Sequence, residues 1–490
     1  MLTLGLALVV LGLFGLVLRG VRRLRPDTMT RPRIVLLQVA VVAAWVFGGN
    51  LLAEIWERNA HDAWRAVDPA AVAVAKTRDA APNPAGLELV KLAALLGIRI
   101  GPPDGTKAPE HDPLGEVGLA GLFAYLDDAF KQPDDRLGRA PAELRAWLVL
   151  QEVPARAVEK HLLAAGRVEW GSRGKDDALP YSPTELTRLH AVLTAGGLER
   201  MRAGDLSGAS SALEAAAALA ASLRERSETL SRLVAVTLDR RLLGALRLLD
   251  PIPAGWAQKL ADIEAQTRPA GALAGESLAL LALVRKPDTT LRGLILELDV
   301  GPPLGESHRS WLGERILSLC GLGVPVERLA EAITSEKQQT QTPFFRFVQG
   351  PLERPYMRLA VADYATVQVR TASAVANGDS CGPMPLAASE QVAPWSPLAE
   401  TGEPFVPRLG RTTAILRAEL ELTRLVERAR SLRAQSRRLA WPKDLPGAES
   451  EACPGRRFVA QLVDGQAEIR LEPEAFANHE ATVSFRMLGR

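Results

Sequence analysis

The chain has 490 residues, 47% hydrophobic and 24% charged, with a formal net charge of +2. This is a globular mixture rather than a disordered one, and the length allows two or three domains. Six of the 59 basic residues and one of the 57 acidic residues fall between positions 19 and 33, leaving 53 and 56 elsewhere, a net of −3; the body lacks the cationic excess that nucleic-acid binding requires.

Residues 1–18 carry no charge, and neither do residues 34–52. Each stretch is close to the roughly 17–25 residues that cross a bilayer as a helix. Between them stand Arg19, Arg22, Arg23, Arg25, Arg31 and Arg33, opposed only by Asp27. Basic residues flanking a span stay on the cytoplasmic side. The expectation is two transmembrane helices in residues 1–56, joined by a cytoplasmic arginine loop, with everything after about Glu54 outside the cytoplasm. The arginines follow the first apolar run and no small-residue cleavage site succeeds it, so it reads as an uncleaved span rather than a signal peptide.

In the second stretch, Gln38, Gly48, Gly49 and Asn50 suit close helix packing. The expected partner is the first stretch, with Gly5, Gly12 and Gly15; another protein in the membrane is the alternative. Trp45, Trp56 and Trp64 fall where aromatic residues anchor a helix at the membrane interface.

Residues 57–136 read as juxtamembrane helices and loops. Residues 54–67 continue as an amphipathic helix, 86–100 are too short and too charged for a third span, and 101–113 form a loop rich in Pro, Gly and Asp. Aromatic residues make up only 5% of the chain, so a core of Leu, Ala and Val is expected, which favours helix packing. Residues 137–340 read as such a helical domain, punctuated by Pro, Gly and Asp clusters.

One hairpin in it has a recognisable pattern. Gly197 is followed by Gly204, Asp205, Ala209, Leu213 and Ala216. Over about residues 187–221 this resembles a tetratricopeptide repeat. The resemblance implies a helical hairpin with small residues at the helix contact and a protein-binding surface. Arg200 stands at the family's aromatic position, Ala221 at its closing proline, and no second copy recurs at a fixed period. An Ala-rich helix pair without that ancestry has the same pattern.

Residues 341–410 hold nine prolines. The spacing of Tyr356, Leu359, Ala360, Tyr364, Val367, Thr371 and Ala374 predicts one helix among them, and 377–407 read as a linker. In 411–439, Ile415, Leu422, Ala429 and Ser436 repeat every seven residues beside Ala418, Leu425, Leu432 and Leu439. Such a seam packs on another chain or in its own bundle; Arg417, Arg424, Arg428 and Arg433 fall on its polar faces. Residues 458–463 and 466–471 flank Asp464-Gly465, a hairpin signal. Val483, Phe485 and Met487 alternate with polar residues as a half-buried strand. A three-stranded sheet packed on the long helix is expected in 411–490. A helix, Trp441-Pro442 and then a small sheet loosely resembles pilin-like modules of secretion systems, without the N-terminal helix that defines them.

Catalytic motifs fail on context. Gly378-Asp379-Ser380-Cys381-Gly382-Pro383 resembles the nucleophile segment of chymotrypsin-like serine proteases, and it fits G-x-S-x-G. It follows a helix tail rather than a strand, and no upstream Ala-Ala-His-Cys segment supplies a base. None of His61, His111, His161, His190, His308 and His479 has metal-ligand spacing. Glu110-His111-Asp112 are neighbours in a loop and do not converge on one ion. Asp127-Asp128, Asp134-Asp135 and Asp176-Asp177 read as solvated helix ends. No metal or cofactor is expected.

Cys320 sits in an apolar run. Cys381 and Cys453 lie in loop-like stretches and are the candidate disulfide, the other reading being three free thiols. The Ala- and Arg-heavy composition hints at a high-GC bacterium. The expectation is a mainly α protein: a membrane-anchored helical-hairpin array with a small C-terminal antiparallel β module. It would sit in the inner membrane with its bulk periplasmic. It would not be an enzyme, but a scaffold binding other envelope proteins in a secretion or pilus-related assembly, with no nucleic acid and no identified small-molecule substrate. An envelope hydrolase with an unrecognised site, or an accessory subunit of an integral membrane complex, is the alternative.

Overall fold

The computed structural model describes residues 31–67, 82–101, 113–131, 135–171, 181–224, 226, 229–253, 255–267, 274, 277–278, 280–285, 343–377, 381, 405–435, 441, 447–472 and 483–488. These residues are mainly helical, with one small antiparallel sheet. They fall into two compact units interleaved in sequence: Met1–Val72, Glu276–Thr371 and Ala387–Val406 form one, and Ala73–Gly275, Ala372–Leu386 and Pro407–Arg490 the other. The first apolar stretch, residues 1–18, lies outside the described residues, as do Arg19, Arg22, Arg23 and Arg25.

The first unit contains helix α1 (Arg31–Val67), whose first half is the uncharged run of residues 34–52. At 1.5 Å per residue its 37 residues extend about 55 Å, well past the roughly 30 Å of a hydrocarbon core. Gly49, Ala53, Glu57, Ala60 and Trp64 make a buried stripe along α1, while Phe47 and Leu51 are exposed. Trp64 is thus a core residue and not the interfacial anchor its position in the sequence suggests.

The partner helix is α10 (Pro343–Asn377). A Cβ on Gly49 would lie 2.8 Å from the Cβ of Pro355, so the absence of a side chain is what admits the proline ring. The helix is longer than the periodic residues 356–374, because it runs through Pro351 and Pro355. Proline in a helix forfeits a hydrogen bond, and burial of the Pro355 ring against α1 offsets part of that cost.

The second unit begins with α2 (Pro84–Ala94), α3 (Pro113–Lys131), α4 (Ala142–Leu150) and α5 (Glu152–Ala164). Asn83 caps α2: its Oδ1 accepts from Gly86 N at 2.8 Å and from Glu169 N at 3.1 Å. Next come α6 (Pro183–Arg202), α7 (Leu206–Arg224), α8 (Thr229–Leu248) and α9 (Trp256–Gln266). Ser182 caps α6 by accepting from Glu185 N at 3.3 Å, with Pro183 in the first turn. By length and composition α7 is apolar enough to cross a membrane, yet most of it is buried inside the protein. It is a core helix, because alanines on several faces let α5, α6 and α8 close around it.

The last long helix, α11 (Phe405–Gln435), begins ahead of the heptad pattern, with Pro407 tolerated in its first turn. Ile415, Ala418, Leu422, Leu425 and Ala429 are buried, and so are Leu416, Leu420 and Val426 off the seam. Burial this wide is that of a helix packed in its own domain rather than of a two-stranded coiled coil. The sheet has four strands in the order β1 (Ala448–Glu449), β2 (Arg457–Val463), β3 (Gln466–Glu472), β4 (Ser484–Met487), all neighbours antiparallel. Positive φ at Asp464 and Gly465 turns β2 into β3. Three strands were expected; β1 adds a fourth, and its two exposed residues carry no alternation to betray it.

Candidate functional site

Among the described residues, six of the eleven exposed large hydrophobic side chains lie on three helices of the second unit: Leu87 and Leu95 at α2, Val149 and Leu150 on α4, Val153 and Leu163 on α5. Val149 is 73% exposed and Val153 80%. Scattered single hydrophobic residues need no explanation; here six gather on helices that pack on one another, α2 on α5 and α4 on α5. The local sequence dictates it. Leu144 and Trp147 of α4 and Val158 and Leu162 of α5 point inward. Gln151 is at once the last cap of α4 and the first cap of α5, so the chain bends there and turns Val149, Leu150 and Val153 outward.

Polar joints hold this corner in place. His161 Nε2 donates to Ala85 O at 2.8 Å and ties α5 to α2. Arg200 donates to the buried Glu159 at 2.8 Å and to Gly208 O at 3.2 Å. It stands where a tetratricopeptide unit has an aromatic residue, and links α5 to both helices of the hairpin. The hairpin residues themselves converge. A Cβ on Gly197 would lie 3.3 Å from Leu213 and 3.4 Å from Ala209 O. Gly204 turns the chain at φ +87°, and Asp205 Oδ1 accepts from Gly208 N at 2.8 Å. Ala209, Leu213 and Ala216 are buried.

Deeper in this unit, Arg224 pairs with the wholly buried Asp239 and donates to Gln266 at 2.9 Å. Burial raises the Asp239 pKa against the pull of Arg224. His190 is also fully buried; burial, then Arg241 and Arg224, push its pKa down to about 3, so it is neutral. Arg240 and Arg247 of α8 grip α11 through Glu419 and Thr423, at 3.0 Å and 3.2 Å. These charges fasten helices to one another.

Asp135 overturns the reading of Asp134-Asp135 as a solvated end. It is 3% exposed. Its carboxylate faces Arg430 at 3.5 Å and accepts from Leu488 N at 3.2 Å, while its own N–H donates to Arg486 O at 3.1 Å. A loop residue thereby fastens β4 to α11. Glu421 anchors the other side of the sheet, accepting from Ser450 Oγ at 2.6 Å and Ala452 N at 2.7 Å. Cys381 and Cys453 are bonded to each other and buried, their Cα atoms 5.4 Å apart. Ser380 lies outside the described residues, as do His111, His308, His479 and Cys320.

In the first unit, the one charge in the α1 stripe is Glu57. Arg358 clasps it, Nε to Oε1 at 2.6 Å and Nη2 to Oε2 at 3.0 Å. Arg285 donates to Oε2 at 2.8 Å. Arg358 Nη1 also donates to Asn50 Oδ1 at 3.1 Å. The hydrogen bond to Glu57 raises the Arg358 pKa above its usual value. Asn50 and Gly49 thus serve the contact with α10. Arg31 and Arg33 open α1. The signal for Glu57 was legible: a lone acid in register with small and aromatic residues at helical spacing. Nothing local to Arg358 or Asp135 marked them.

No group of three His, Cys, Asp or Glu side chains suited to a metal ion occurs among the described residues. Comparison with protein-family models, with curated proteins and with solved structures finds no match to the chain.

Proposed function

We propose that this protein is a membrane-anchored extracytoplasmic scaffold that binds other envelope proteins through the apolar surface of α2, α4 and α5. The observation that carries this reading is the corner formed by Val149, Leu150 and Val153. Three large aliphatic side chains held in water by a rigid helix joint are costly, at roughly 25 cal/mol per Å² of apolar surface left exposed. A partner that covers them recovers that energy. The hairpin array and the two spans, residues 1–18 and 34–52, belong to the same proposal. The uncharged run within α1, with Phe47 and Leu51 outward, supports the span. The cystine supports an oxidising compartment.

The test is photo-crosslinking in intact cells. A photoreactive residue in place of Val153 should give a discrete protein adduct, and one at the exposed Arg139 should not. Reporter fusions after Leu52 should be active as a periplasmic phosphatase and dark as a cytoplasmic fluorophore. Equal labelling from both positions, or the opposite reporter pattern, defeats the proposal.

A further inference from the structure

Among the described residues the buried Glu57 carboxylate is outnumbered by cations. Arg358 makes two bonds to Glu57 and one to Asn50, with its Nε and both Nη atoms engaged. Arg285 gives Glu57 only its Nε and keeps a half-exposed side chain. Arg354 donates Nη2 to the Arg285 backbone oxygen at 2.7 Å, and its buried Nε has no hydrogen-bond partner among the described residues. Among the described residues one carboxylate thus serves two guanidinium groups, and a third, that of Arg354, is tied to the backbone beside them without a carboxylate of its own. The remaining charges on this part of α1 pair among themselves, Glu54 with Arg58 and Asp62 with Arg65. His61, whose pKa is lowered first by burial and then by Arg285, adds no positive charge at neutral pH.

The surplus has a definite depth. Glu57 is five residues beyond the end of the uncharged run at Leu52, about 7.5 Å along the helix. The headgroup layer on each side of a bilayer is roughly 5–7.5 Å thick, so Glu57 stands at its outer edge. Arg285 and Arg354 come from far downstream, so they escape the count of basic residues near a span that sets its orientation. We propose that Arg285 and Arg354 form a site for the phosphate of a phospholipid headgroup in the outer leaflet. Planar guanidinium groups match phosphate oxygens with paired, charge-assisted hydrogen bonds. The proposal rests on the reading of residues 34–52 as a span.

The experiment uses the full chain solubilised in a non-ionic detergent. Thermal unfolding is followed against dihexanoyl-phosphatidylglycerol, inorganic phosphate, and a dihexanoyl-glycerol lacking phosphate. The phospholipid should raise the Tm saturably, the phosphate-free lipid should not, and the Arg285→Gln, Arg354→Gln double variant should bind about tenfold more weakly or worse. Should the double variant not fold, Arg354→Gln alone serves, since among the described contacts it gives up only a bond to a backbone oxygen. No shift, a shift unchanged in the variant, or an equal shift with inorganic phosphate would overturn the site. Carbonate extraction of membranes separates the two readings. Protein that stays in the pellet but ignores the lipid keeps the anchor and loses the site; protein that is extracted loses both.

Discussion

Arg358 holds Glu57 through two parallel hydrogen bonds across 301 residues of chain. Glu57 is wholly buried, so removing it strands Arg358 and Arg285 without their counter-charge. Breaking a buried pair from one side costs about 3–5 kcal/mol. Glu57→Ala should lower the Tm sharply, whereas Glu54→Ala, on an exposed pair with Arg58, should change stability by less than about 1 kcal/mol. Similar melts for the two variants would contradict the clasp.

The α6–α7 hairpin depends on missing side chains. Gly197→Leu drives a branched side chain into Leu213 and should cost about 1–3 kcal/mol. Gly204→Val forces a β-branched residue to φ +87° and should cost at least about 1 kcal/mol. Chemical denaturation of each variant measures both. A neutral Gly197→Leu would mean that the helices do not approach as closely as described.

The cystine closes a 72-residue separation. Cross-linking a loop of that length stabilises by about 4 kcal/mol in the chain-entropy account. The Cys381→Ser, Cys453→Ser double variant should unfold correspondingly earlier. Thiol titration of the denatured protein should find one reactive thiol, Cys320, before reduction and three after it. Three before reduction would remove the cystine and the argument for an oxidising compartment.

Val149 and Val153 do little for folding, being mostly exposed. The Val149→Glu, Val153→Glu double variant should melt within about 0.5 kcal/mol of the parent. The adduct from a photoreactive group at Leu163 should disappear. A retained adduct would place the partner elsewhere.

His190 carries a pH signature. Its pKa falls from 6.5 to about 3 on folding, so the unfolded chain takes up a proton that the folded one refuses. Stability is full above about pH 6.5 and is lost as the pH drops from there towards about 3, by up to about 1.4 kcal/mol per pH unit. Asp239 has the opposite sign, since burial raises its pKa and its contribution is lost as the pH climbs above 3.8. His190→Gln should flatten the acid limb of a Tm-against-pH curve between about 4 and 6.5. Parallel limbs would show that His190 titrates normally.

Much of the fold is legible in the chain. Gly204-Asp205 announces the turn between α6 and α7, the heptads announce most of α11, and Asp464-Gly465 between alternating residues announces the β2–β3 turn. Each is a local signal, set by backbone preference and by the period of the apolar residues. Trp64 has the composition of an interfacial anchor and lies in a core. The prolines at 351 and 355 precede the residues whose spacing predicts a helix, and lie within that helix. Asp135 looks like a solvated acid and joins a strand to a helix.

Residue order alone determined the helical class, the hairpin at Gly204, the two uncharged runs and the charge between them. Those properties depend on neighbours within a few turns. Only the tertiary structure decided that Glu57 meets Arg358, that Asp135 meets Arg430, that Cys381 finds Cys453, and that six aliphatic side chains of α2, α4 and α5 stay exposed. A buried charge and a solvated one are spelled with the same residue. Which it becomes depends on what distant segment arrives beside it.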